Sequence, residues 1–332
     1  MAISPTVEER SGCGRGTRVA ARLMRWFVRP VVANLPWTPL TLRFAPLIDL
    51  AAGLLRPPRG TRTVRVDGIG CAAEWVRGPG VGGGSGRSAG SGGPGKVILY
   101  FHGGGFVACG LRSHRRMIAR ISQAAGMPVL SVGYRMPPRV PIATTLGDCV
   151  AAYRWLLDRG HRPSDIVVAG DSAGGYLAFM APLYALRDGL PAPAAIAALS
   201  PFTELDITGK IAHPNAPIDP YIPAPRMWDM VRTCFPGADL TDPWLSPVHA
   251  DVRGLPPTLI QVGSVEVLLA DAEAMAGRLG AAGVPCTLQI WEGQAHVFQI
   301  FADISREGLA AIAEIGRFAR AMTGSEPRTR AA

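Results

Sequence analysis

The chain has six cysteines, at positions 13, 71, 109, 149, 234 and 286, and no two of them stand three residues apart. The Cys-x-x-Cys spacing of a zinc knuckle or redox pair is therefore missing. Scattered single cysteines suit a reducing compartment, where they act as small buried apolar residues. Also missing is any run of about 18 apolar residues, so no membrane-spanning helix is expected. The opening MAISPTVEERSGCG has acidic residues where a secretory leader has basic ones, and no apolar core follows it. A cytoplasmic location is the expectation, with membrane association left open. Charged residues make up only 18% against 48% hydrophobic, which excludes the disordered class. A chain of 332 residues can bury a core without disulfides.

Acidic residues are scarcest in the N-terminal part. Residues 1–66 hold eleven arginines against Glu8, Glu9 and Asp49, so +8 of the formal net charge of +9 lies there. A nucleic-acid surface would spread basic and aromatic residues over a whole face, so no nucleic-acid partner is expected. Arg15, Arg18, Arg22, Arg25 and Arg29 recur at steps of three and four, which puts them on one helical face. Val19, Leu23, Trp26 and Phe27 occupy much of the remainder. Such a helix either packs on its own protein with a solvated basic face, the preferred reading, or lies on an anionic membrane as a peripheral contact.

TRTVRV (61–66) and AAEWVR (72–77) predict a first strand pair. The Gly/Ser stretch at 78–95 reads as a flexible loop with no side chains to build a core. It contains GSGGPGK (90–96), part of a phosphate-loop pattern, but Val97 stands where Ser or Thr would hold magnesium. No strand leads in and no helix follows, so that reading is rejected. From residue 96 onward, short apolar strands alternate with helices. Strands are expected at 96–101, 127–135, 165–170, 194–200, 257–263 and 286–292. Helices are expected at 115–126, 144–160, 176–189, 267–282 and 304–322. The alternation predicts an α/β fold, a mostly parallel central sheet flanked by helices on both faces. Residues 201–250 interrupt it with many prolines, Trp228 and Trp244. An insertion there would cap the carboxyl ends of the strands, where open α/β sheets bind ligands.

Two pentapeptides fit Gly-x-Ser-x-Gly, GRSAG at 86–90 and GDSAG at 170–174. With 40 glycines in the chain a chance match is unsurprising, so context decides. A nucleophile elbow needs a strand in, a sharp turn at the serine and a helix out. Ser172 has all three, whereas Ser88 sits in the Gly/Ser loop and reads as a linker residue. The hydroxyl needs a base to take its proton. In a strand–serine–helix arrangement the order is serine, acid, histidine, which leaves His213, His249 and His296. His296 follows the last core strand and is the candidate base; the other two lie in or beside the insertion. Glu266, three residues past the strand ending at Gly263, is the candidate acid. Asp271 competes but reads as a solvated helix carboxylate. HGGGF (102–106) directly follows a strand, and its Gly103 and Gly104 N–H groups, with that of Ala173, are the expected oxyanion donors. His102 reads as a residue that pins this loop.

HGGGF, GDSAGG, GYR (133–135), LSPFTELDITG (199–209), DPWLSPVHAD (242–251) and GQAHVF (293–298) together resemble the hormone-sensitive-lipase-like carboxylesterases. The likeness covers about residues 60–320 and implies an α/β-hydrolase fold with a helical cap. Mapped here, the cap is 1–50 plus 201–245, the catalytic domain is 51–200 and 246–322, and 323–332 is a disordered tail. Three positions depart from the family pattern: Glu266 where Asp is frequent, Arg139 where an acidic residue is usual, and Ala270 where a second carboxylate often stands. The implied activity is ester hydrolysis by Ser172, His296 and Glu266 through an acyl-enzyme, with no metal or organic cofactor. The apolar cap suggests small-molecule esters with short-to-medium acyl groups. Amide or thioester hydrolysis, or deacetylation of a metabolite, on the same triad is the alternative. A non-catalytic small-molecule receptor on this scaffold is a further one. A homodimer is left open.

Overall fold

The computed structural model describes residues 2–82 and 94–324. Ser88, most of the Gly/Ser stretch and the chain from 325 onward lie outside them.

Nine strands form one sheet: β1 (Thr6–Arg10), β2 (Arg62–Val66), β3 (Ala72–Arg77), β4 (Val97–Phe101), β5 (Val129–Gly133), β6 (Ile166–Asp171), β7 (Ala195–Leu199), β8 (Thr258–Gly263) and β9 (Cys286–Trp291). Their order is β1-β9-β8-β7-β6-β4-β5-β3-β2. β3 runs antiparallel to both β2 and β5, and every other neighbouring pair is parallel. β4 is buried along its whole length, which is why VILYF is an unbroken apolar run rather than an alternating one. Its side chains still alternate between two cores. Val97, Leu99 and Phe101 join the core shared with the helices Ile142–Asp158, Ala173–Arg187 and Leu269–Ala281. Ile98 and Tyr100 join the core under the helices Leu111–Ala125 and Arg306–Met322. Those last two helices approach so closely that a side chain at Gly316 would collide with Ala124.

The N-terminal segment differs from expectation. Residues 6–10, read as the start of a cap, are an edge strand of the main sheet, paired in parallel with β9. TVEER is short and charged, so it carries no apolar alternation. What secures it is distant in sequence: Gln289 donates to Glu8 (2.9 Å), and Arg10 pairs with Glu314 (3.1 Å).

The arginine-striped segment is helical from Arg15 to Leu23, passes through a π-helical turn, Met24–Val28, and continues to Asn34. It packs on the protein through Thr17, Ala20 and Met24. Thr17 donates to Glu307 (3.0 Å), and the Gly14 N–H donates to the same carboxylate (2.6 Å). Arg25 and Arg29 donate to the carbonyls of Ile218, Pro217 and Ala216, tying this segment to the 201–245 insertion. The packed face is therefore narrow and made mainly of small side chains, while Trp26 stays 75% and Phe27 68% exposed.

Asp271 is not the solvated carboxylate that its helix position suggested. It is buried, accepts from the Thr203 and Glu204 N–H groups (2.6 and 3.0 Å), and pairs with the buried Lys210 ammonium at 2.9 Å. Burial of both partners makes this pair part of the join between the insertion and the sheet.

Candidate active site

β6 ends at Asp171 and the helix Ala173–Arg187 begins two residues later, with Ser172 between them. Ser172 has φ 54° and ψ −119°, a backbone conformation that L-residues adopt only when the surroundings impose it. The flanking glycines are sterically required. A side chain at Gly170 would strike the Gly174 carbonyl, and one at Gly174 would strike the Phe101 carbonyl. The pentapeptide is thus the local sequence that lets strand and helix meet at a tight corner with a serine at its tip. Among the described residues the Ser172 hydroxyl makes no hydrogen bond.

HGGGF lies against this corner. A side chain at Gly103 would collide with the Asp171 carboxylate and come within 3.1 Å of Ser172 Cβ. Gly104 and Gly105 both have positive φ (118° and 60°). The Gly103 N–H, expected as an oxyanion donor, instead donates to Asp171 Oδ1 at 3.1 Å. That correction has a plain cause: the residue beside the serine is a buried carboxylate and takes the nearest backbone proton. The N–H groups of Gly104, Gly105 and Ala173 make no hydrogen bond among the described residues.

Asp171 is the hub that joins loop to corner. Its Oδ1 also accepts from the Tyr100 hydroxyl (2.7 Å), and its Oδ2 faces His114 Nε2 (3.1 Å). Burial alone would raise the Asp171 pKa, but the His114 charge and the hydrogen bonds from His114 and Tyr100 hold it below the usual carboxylate range. Burial alone would lower His114, and Asp171 outweighs that and holds it raised. His102 is stacked on Tyr134 at 4.3 Å and its Nδ1 meets the Gly103 carbonyl at 2.8 Å. Burial, with His114 nearby, pushes His102 down to about 4, so it is a neutral pin for the loop.

The Asp171–His114 pair gives stability a pH window. A depressed Asp contributes above its unfolded pKa near 3.9, and a raised His contributes below about 6.5. The pair is complete between those values. Asp loses its contribution as pH falls through its folded pKa, and His as pH rises through its own. Asp171→Asn should therefore lower the melting temperature most at about pH 5 and progressively less as pH rises through the folded pKa of His114. Thermal melts of both proteins across that range check it; an equal drop at both ends would count against the ion pair.

On the far side of the corner, Glu266 follows β8 and His296 follows β9. His296 Nδ1 and Glu266 Oε2 are 2.6 Å apart. Glu266 Oε1 accepts from the Ser200 hydroxyl and the Gly263 N–H, both at 2.7 Å, so the carboxylate is fixed at both oxygens. Ser200 in turn accepts from the Val297 N–H at 3.1 Å, locking the residue after the histidine. Burial alone would lower the His296 pKa; the Glu266 charge and hydrogen bond outweigh it and hold it raised. The Tyr221 ring stacks on the imidazole at 5.7 Å. A surface groove of about 630 Å³ lined by Gly68, Trp155, Tyr184 and Arg187 shares no residue with this constellation.

Known proteins share the fold that carries this corner, glycine loop and carboxylate-bound imidazole. A family model described as alpha/beta hydrolase fold matches residues 98–300. The carboxylesterase/phospholipase LipF of Mycobacterium tuberculosis is 39% identical over 330 residues, covering 96% of this chain and 85% of that protein. The crystal structure of an esterase from the bacterial hormone-sensitive lipase family superposes with a TM-score of 0.82 at 36% identity, covering 95% of this chain and all of that one. The chain belongs to the hormone-sensitive-lipase-like carboxylesterases. An acetyl-hydrolase of Streptomyces hygroscopicus, 39% identical over 255 residues, covers 76% of the chain and matches 81% of its own length. Carboxylic ester hydrolysis is thus the chemistry of this fold here.

Two supports of this candidate site were invisible in the sequence. Asn215 donates to the carbonyls of Ser264 and Glu266 (2.9 and 2.8 Å). The buried Asp219 accepts from the N–H groups of Tyr221, Ile222 and Val267. Both come from the insertion and buttress the turn that carries Glu266. A polar residue in a proline-rich stretch gives no periodic signal, so nothing in the sequence pointed to them.

Proposed function

We propose that this esterase hydrolyses short-to-medium acyl esters through Ser172, His296 and Glu266. Ser172 Oγ attacks the ester carbonyl while His296 Nε2 takes its proton. His296 Nδ1–H stays on Glu266, which orients the ring and stabilises its cation without taking the proton. The tetrahedral oxygen is received by the N–H groups of Gly104, Gly105 and Ala173, since that of Gly103 is engaged by Asp171. His296 then protonates the departing alkoxide, and a water activated by the same nitrogen releases the acid. The Ser172–His296 hydrogen bond closes as substrate binds, the usual behaviour of such contacts. The observation that carries this reading is the 2.6 Å Glu266–His296 contact, because a carboxylate saturated by Ser200 and Gly263 can only orient and charge-stabilise its imidazole.

What roofs the glycine loop bears on the acyl range. A Cβ at Gly105 would lie 3.8 Å from the Trp37 ring and 3.7 Å from Met230 Sδ, so the N-terminal segment and the insertion meet above it. An apolar roof that close favours modest acyl chains, and it supports reading 1–50 and 201–245, less the strand at 6–10, as the two pieces of a cap. One relative is named an acetyl-hydrolase, and that name supports including acetyl esters in the proposed range. With a series of p-nitrophenyl esters, kcat/KM should peak at butyrate or hexanoate and fall steeply toward palmitate. A maximum at the long end would overturn the assignment.

A further inference from the structure

We propose that residues 15–55 form a docking surface for an anionic lipid bilayer. Among the described residues 24 large hydrophobic side chains are exposed, and 14 of them lie between Val19 and Leu55. A soluble surface normally scatters such residues singly, and a concentration of this kind marks an interaction face. Val19 and Leu23 precede the π-helical turn, Trp26 and Phe27 lie within it and Val31 follows it, so large apolar side chains mark the whole first helical stretch. All five are exposed, while the face that meets the protein is Thr17, Ala20 and Met24. The ordinary arrangement of an amphipathic helix is thus turned outward. Farther along, Leu40, Phe44, Leu47, Leu54 and Leu55 are also at least half exposed.

Charge identifies the occupant. Arg15, Arg18 and Arg22 are exposed beside these side chains, as are Arg43 later in the segment and Arg56 and Arg59 just after it. A second copy docking by the same face would bring two strongly basic surfaces together, which like charges oppose. A polyanion such as nucleic acid would satisfy the arginines and leave the aromatic and aliphatic side chains in water. A bilayer with acidic headgroups answers both, with phosphates for the guanidinium groups and acyl chains for Trp26 and Phe27.

The placement suits the chemistry. Trp37 of this segment stands over Gly105, and the Asp49 carboxylate accepts from the Ser113 N–H at 2.8 Å, at the start of the helix that follows the glycine loop. Docking would therefore bring the roof of the site to esters that partition into the membrane. That consequence rests on the proposed function; lipid binding itself does not, and its test reads no activity.

The test is co-sedimentation of the full chain with phosphatidylcholine vesicles, with and without ~30 mol% phosphatidylglycerol. Trp26→Ala/Phe27→Ala and Arg18→Gln/Arg22→Gln alter exposed side chains only, and thermal melts confirm that both variants stay folded. Binding is expected to the anionic vesicles and to weaken strongly at ~0.5 M salt. Each arginine is expected to contribute about fivefold, so the Arg18/Arg22 variant should bind on the order of twentyfold more weakly. The Trp26/Phe27 variant should lose at least about tenfold. No sedimentation with anionic vesicles at low salt, equal binding to both vesicle types, or variants that bind like wild type would each overturn the proposal. So would a concentration-dependent dimer abolished by Trp26→Ala/Phe27→Ala in a chain that ignores vesicles, which would assign the face to a second copy.

Discussion

Ser172→Ala should lower kcat/KM for p-nitrophenyl butyrate by on the order of 10⁴–10⁶-fold, whereas Ser88→Ala should leave it within about twofold. The difference follows from geometry rather than motif, since both serines sit in Gly-x-Ser-x-Gly. Ser172 is held at a strained φ of 54° between a fully buried strand and a helix start. Two residues to either side stand Gly170 and Gly174, where a Cβ would collide with backbone carbonyls. A nucleophile needs that rigidity, because a misplacement of about 1 Å can cost 10²-fold. The Ser172→Ala protein should keep its fold, as alanine removes one hydroxyl and leaves the backbone demand unchanged. Retention of more than about a hundredth of wild-type kcat/KM would contradict the assignment of the nucleophile.

Glu266→Gln should lower kcat by about 10⁴-fold and move the acid limb of the pH profile to lower pH. The sign follows from the balance at His296. A general base must be neutral to accept a proton, so activity rises with pH through the His296 pKa. Glu266 now holds that pKa up against burial. With the charge gone, burial prevails and the imidazole loses its proton more readily, so the limb shifts down while the plateau falls. Glutamine also sets an NH₂ group against one of the three donors now aimed at the carboxylate, those of Ser200, Gly263 and His296. Profiles of kcat/KM between about pH 5 and 9 for both proteins check this. An unmoved limb would mean that something other than Glu266 sets the histidine's proton affinity.

The α/β architecture was legible because its strands are extreme. VILYF and IVVAG are apolar along their whole length, as strands covered on both faces must be, and the helices between them end where the expected boundaries lie to within a few residues. β1 was not legible, because an edge strand needs no apolar alternation and TVEER has none. At the site, the sequence pointed to the glycine loop but not to which glycine is engaged. That depends on Asp171, which reaches Gly103 from 68 residues away. Asp271 was misread for a related reason. A carboxylate on a helix is normally solvated, and its partner Lys210 lies in the insertion, where no periodicity foretells contact.

β1 also bears on how this esterase can be cut. Three of its five residues, Glu8, Glu9 and Arg10, are charged, and it lies along the outer side of β9. Such a strip works as a selvedge. Without it, the backbone groups of Cys286–Trp291 would be bare and ready to stitch onto the sheet of another molecule. A shortened chain lacking the first dozen residues would precipitate for reasons unrelated to lipid, so any dissection of the arginine helix has to leave that border sewn in place.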